Sequence, residues 1–150
     1  MIKSTGILRY DRPNGYGWRL VLDIDPGIAL FYRSLIPKWY TANSQAAKPH
    51  ITIVRAAQPP NTKAWGKYQG EKIDFYYDPY IHQGGAYWWL NCYSKRLDEI
   101  AQELGLSLVN PFFDPPARYG KKVWHTTIAN TKQIVKQERK QKRRNYGTGN

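Results

Sequence analysis

The run GWRLVLDI, residues 17–24, carries clustered and alternating branched apolar side chains, the pattern of a strand. Asp25 and Pro26 follow where an N-cap and a first helical residue belong, so IALFYRSLI reads as a helix that stops near Pro37. KPHITIVRA, residues 48–56, is a second strand: side chains alternate, so His50, Thr52 and Val54 share one side while Ile51 and Ile53 take the other. Between Gln58 and Gly70, two adjacent prolines and two glycines predict a loop. Its Lys63, Trp65, Lys67 and Tyr68 border a ligand site or, more simply, belong to a solvated excursion.

KIDFYYD (72–78) and AYWWLNCY (86–93) read as two strands, with Gly84-Gly85 turning the hairpin between them. Ser94 is placed to cap a helix whose Leu97, Ile100, Ala101 and Leu104 recur at helical spacing before Gly105 ends it. His82, in DPYIHQGG, is most simply a turn residue. The proline- and aromatic-rich NPFFDPPARYG leads into a last strand, KVWHTTIAN, which repeats the earlier arrangement: His125 and Thr127 on one face, Ile128 on the other. The segment ahead of residue 17 reads as a polar, glycine-containing opening. This order implies an α+β protein with helices on an antiparallel-leaning sheet.

A chain of 150 residues suits one domain, here 1–131, followed by a basic extension, 132–150, that is helical or disordered. Seven Lys or Arg against one Glu between Lys132 and Arg144 supply +6 of the net +12, so the body is basic too. That charge predicts attraction to polyanions, and 15% aromatic residues suit binding of unpaired bases, although most such rings serve the core. A lone cysteine, Cys92, excludes an internal disulfide and favours a reducing cytosol. No signal-peptide pattern and no membrane-spanning run is present, so a soluble, cytoplasmic protein is expected.

Two imidazoles on either side of a phosphodiester can divide the work of base and acid near neutral pH. The neighbouring threonine hydroxyls can donate to the non-bridging phosphate oxygens. A ribose 2′-OH activated in this way would attack the phosphorus and leave a 2′,3′-cyclic phosphate. A single His-x-Thr is usually a strand histidine with a hydrogen-bond partner, but two among three histidines arise by chance only roughly once in 100. His50, His82 and His125 lack the local carboxylate or cysteine spacing of a metal site, so neither metal nor cofactor is expected. Phosphate loops and nucleophile elbows are likewise missing from the sequence.

The two motifs, His50-Ile51-Thr52-Ile53 and His125-Thr126-Thr127-Ile128, resemble those that name the 2H phosphoesterase superfamily. That resemblance, over most of residues 7–130, implies a two-lobed 2H phosphoesterase fold, with antiparallel sheets around a central groove and helices outside. It implies His50 and His125 as acid and base, Thr52 and Thr127 as phosphate ligands, and metal-independent chemistry on ribonucleotides. Thr126 stands where the superfamily more often has an apolar residue. The short, basic, aromatic-rich chain with its RYDRPNGYGW segment looks most like the phage anti-CBASS phosphodiesterases, which destroy cyclic di- and trinucleotide signals, placing such a protein in the host cytoplasm. Trp89, or Trp88 in the opposite register, and Tyr16 are the candidate base-binding rings. Processing of RNA ends, through 2′,3′-cyclic phosphates or 2′-5′ linkages, and non-catalytic nucleotide or RNA binding stay open as alternatives.

Overall fold

Backbone pairing begins earlier than the apolar pattern suggests: Ile2–Asp11 form a strand, β1, although Gly6 and Leu8 are its only buried residues. The computed structural model describes residues 1–11, 17–112 and 114–131. After β1 come β2 (Trp18–Ile24), α1 (Pro26–Ser34), β3 (His50–Ala56), β4 (Lys72–Gly84), β5 (Tyr87–Tyr93), α2 (Lys95–Glu103) and β6 (Trp124–Asn130). All the strand pairs are antiparallel, and they close into a barrel in the order β1-β2-β3-β6-β5-β4.

The two-lobed α+β architecture expected from the motifs is therefore corrected to a closed six-stranded antiparallel barrel with two nine-residue helices. The two lobes were implied by the resemblance of the motifs, and β1, which shows little apolar alternation, is the strand that closes the barrel instead. β1 pairs along one edge with β2, from Gly6↔Ile24 to Asp11↔Arg19, and along the other with β4, from Ile2↔Tyr77 to Ile7↔Lys72. β1 thus closes what would otherwise be one open five-stranded sheet, β2-β3-β6-β5-β4, and closure leaves no sheet edge open.

The interior is filled by alternate residues of the strands: Leu8, Leu20, Leu22, Ile51, Ile73, Phe75, Leu90 and Cys92 are all within 1% of complete burial. Asp25 caps α1 by accepting from the Gly27 N–H at 2.8 Å, and Ala29 and Tyr32 turn inward, Tyr32 meeting the Tyr77 ring edge-on at 5.8 Å. Ser94 caps α2, whose Leu97, Ile100 and Ala101 are buried. From α2, Asp98 reaches to β6 and its approach: one oxygen accepts from Trp124 Nε1 at 3.0 Å and the other from the Lys121 N–H at 2.6 Å. That carboxylate ties the start of the second motif strand to the helix.

The loop of residues 58–70 turns two of its rings to the core margin. Trp65 lies edge-on to Tyr10 at 5.0 Å and to Trp18 at 4.8 Å, and Tyr68 packs beside it against buried residues. No described helix is long and apolar enough to cross a membrane.

Candidate active site

The two motif strands are neighbours. β3 pairs with β6 at Ile51↔Thr126, both side chains turned into the barrel with 0% and 1% exposure. One step either way along this antiparallel register sets His50 opposite Thr127 and Thr52 opposite His125, all on the outer face. Each histidine thus faces the threonine of the other motif. Diagonal neighbours across such a pair are roughly 7–8 Å apart, close enough for two imidazoles to flank one tetrahedral anion.

The strand β3 departs from simple alternation. β2 pairs Leu20 with Val54 and then Val21 with Thr52, so Ile53 is an extra, bulged residue. Val54, expected on the motif face, is instead 4% exposed in the core, and Arg55 takes the outward position beyond Thr52. The bulge changes which chemistry accompanies the first motif: an arginine replaces a valine.

His50 Nδ1 lies 2.6 Å from the Lys48 carbonyl. A carbonyl only accepts, so the proton sits on Nδ1 and Nε2 is left to exchange a proton with a ligand. Asp23, opposite His50 on β2, does not serve it. Arg9 holds that carboxylate with two bonds, Nε to Oδ2 at 2.8 Å and Nη2 to Oδ1 at 3.2 Å, and also reaches Asp11 at 3.0 Å. His125 is exposed, yet enough protein surrounds it to desolvate the ring in part. That desolvation, with the charge of His50 nearby, lowers its pKa below the ordinary histidine value of 6.5. The hydroxyls of Thr52 and Thr127 make no hydrogen bond to another described residue.

The outer face continues from β6 across β5 to β4. Thr127 pairs with Trp89 and His125 with Asn91, while Leu90 and Cys92 turn into the core, and Trp89 in turn pairs with His82. Trp88 is buried, so of the two neighbouring indoles it is Trp89 that shares the motif face. Its ring stacks on His82 with centroids 5.7 Å apart and planes 17° from parallel. Trp89 Nε1 donates to Asn91 Oδ1 at 3.2 Å, and Asn91 Nδ2 lies 3.1 Å from His82 Nε2. An indole N–H only donates, so the Asn91 oxygen must face it and the amide nitrogen must face His82. A Cβ on Gly84 would come within 3.0 Å of the indole, so that glycine makes room for the ring.

His82 is accordingly no turn residue: it lies within β4, which runs on to Gly84. The reading failed because Asp78-Pro79 and Gly84-Gly85 both look like turn signals. The first belongs to a bulge, where Tyr77 pairs with Cys92 and Ile81 already pairs with Leu90. A proline is tolerated there because no ladder bond needs its missing N–H. Tyr16 and the basic extension from Lys132 onward lie outside the described residues.

Among the described residues, no three His, Cys, Asp or Glu side chains converge as metal ligands. No family model, curated protein or solved structure matches the chain.

Proposed function

We propose that this chain is a metal-independent phosphodiesterase that opens cyclic di- and trinucleotides. The observation that carries the reading is the crossed arrangement about Ile51↔Thr126, in which two histidines and two threonines surround one position on an outer face. A phosphate at that position accepts hydrogen bonds from the Thr52 and Thr127 hydroxyls through its non-bridging oxygens. His125, whose neutral form is favoured, takes the proton from the ribose 2′-OH. The freed O2′ bonds to phosphorus, the P–O5′ bond breaks, and the departing O5′ takes a proton from His50 Nε2. The products are a 2′,3′-cyclic phosphate and a 5′-hydroxyl. Trp89, stacked on His82 and paired through its backbone with Thr127, would stack the base next to the scissile bond. Such a substrate implies an intracellular, cytoplasmic setting.

The barrel in place of two lobes narrows the basis for this reading to the motifs and their face. The same face also fits an RNA end carrying a 2′,3′-cyclic phosphate, which places one phosphate between the histidines in the same way.

The test is chromatography of purified protein in EDTA against cyclic di- and trinucleotides and a 2′,3′-cyclic-phosphate RNA oligomer. Opening of the cyclic nucleotides to species with a 2′,3′-cyclic phosphate supports the proposal. Turnover of the RNA end alone moves the protein to RNA processing. Tight binding without turnover makes it a binding protein, and activity lost to EDTA and restored by zinc or manganese rules out the metal-free step.

A further inference from the structure

Two arginines stand side by side on the motif face with no partner of opposite charge among the described residues. Arg19 of β2 pairs directly with Arg55 of β3, and the bulge at Ile53 turns Arg55 to the side of His50 and Thr52. Like charges directly opposed across a strand pair repel. Nothing among the described side chains relieves them: neither guanidinium makes an ion pair or hydrogen bond. The nearest candidate, Asp11, lies opposite Arg19 on β1 but is bonded to Arg9, as is Asp23. Arg19 is partly and Arg55 fully open to solvent, so both can be reached by an anion.

We propose that Arg19 and Arg55 form a second phosphate subsite, which takes the phosphate adjoining the one held between His50 and His125. This rests on the phosphodiesterase reading and deepens it, because it selects substrates with at least two phosphates over a mononucleotide. From Thr52 to Arg55 the chain advances three residues, about 10 Å at most at strand rise and less across a bulge. An arginine side chain covers the remaining distance to a neighbouring phosphate. Guanidinium groups suit the role, since each can offer two parallel N–H donors to phosphate oxygens. A site of this kind explains why the strand tolerates an extra residue: without it, Arg55 would point into the core and Val54 would face the ligand.

The test separates this subsite from catalysis by using ligands without a 2′-OH. Binding of thymidine 3′,5′-bisphosphate and thymidine 5′-monophosphate is measured by calorimetry for wild type, Arg19→Gln, Arg55→Gln and Arg55→Lys. Wild type should favour the bisphosphate at least tenfold, both glutamine variants should bring that ratio close to one, and lysine should restore part of it. Thermal unfolding without ligand should show the glutamine variants at least as stable as wild type, because a repulsion has been removed. A ratio near one in wild type, or a preference that survives both glutamine substitutions, overturns the proposal. If the preference appears and is lost in the variants while the protein turns over no phosphodiester, the subsite stands and the enzymatic reading fails.

Discussion

Thr126 lies between His125 and Thr127 and points away from them, into the barrel. Its side-chain hydroxyl is buried without a hydrogen-bond partner, and the residue is 1% exposed. A buried hydroxyl left unpaired costs about 1–3 kcal/mol of desolvation. Valine has the same β-branched shape, keeps the strand preference and replaces the hydroxyl with a methyl group that wants burial. Thr126→Val should therefore stabilise the protein by roughly 1–2 kcal/mol, which for a domain of this size raises Tm by about 3–6 °C. Urea unfolding followed by fluorescence should show a higher midpoint with an unchanged slope, the signature of stability gained without a change in the unfolding transition. Because the backbone register Ile51↔Thr126 is untouched, turnover should remain within roughly twofold of wild type. A midpoint that stays put or falls would refute the reasoning, since the hydroxyl would then have a partner, such as a buried water, whose loss offsets the gain.

Removing the carboxylate in Asp98→Ala leaves the Trp124 indole N–H and the Lys121 N–H unpaired, and should cost about 2–4 kcal/mol in urea unfolding. No loss would mean that water replaces both bonds at no cost. With His125 as the base of the proposed mechanism, its lowered pKa means that activity is lost only as pH falls below 6.5, so the acid limb of kcat/KM should lie below that value. His50→Gln removes the neighbouring charge and should raise the His125 pKa in an NMR titration; a fall would contradict the assigned cause. Folding carries the same sign: protons bind more readily to His125 in the unfolded chain, so its contribution to stability is present above pH 6.5 and fades as pH falls through its folded value. Trp89→Ala should raise KM for a cyclic dinucleotide by roughly 5- to 150-fold with little change in kcat, the loss of one stacked base. An unchanged KM would remove Trp89 from the binding surface.

The motifs were legible in the sequence because they depend on local alternation and on repetition, both of which survive in the structure at His50, Thr52, His125 and Thr127. The capped helices were legible for the same reason: Asp25-Pro26 and Ser94 act on their own next turns. What escaped depended on partners distant in the chain. β1 is polar and contains Gly6, so it shows little apolar alternation. It is a strand because β2 and β4 supply ladder bonds on both of its edges. Without it the remaining strands read as one open sheet, and the two lobes came from the resemblance of the motifs alone. The bulge at Ile53 is hidden because two adjacent apolar residues, Ile53 and Val54, both find burial and no glycine marks the kink. Arg55 was overlooked with it. Strict alternation sends that arginine to the Ile51 side, and an arginine required to enter a core is the one signal that could have revealed the extra residue. For His82 the misleading signal was a proline inside a strand, which only the pairing with β5 explains.

The central claim is that His50 and His125 act together on one phosphate, and single-turnover kinetics on a cyclic dinucleotide in EDTA test it most directly. His50→Ala and His125→Ala should each slow the chemical step by roughly 10² to 10⁴, since each removes one proton transfer. The double variant should be about as slow as the slower single one, as expected of groups that work as a unit. If either single variant keeps more than about a tenth of the wild-type rate, below the loss that a positioned acid or base imposes, the paired-histidine account is wrong.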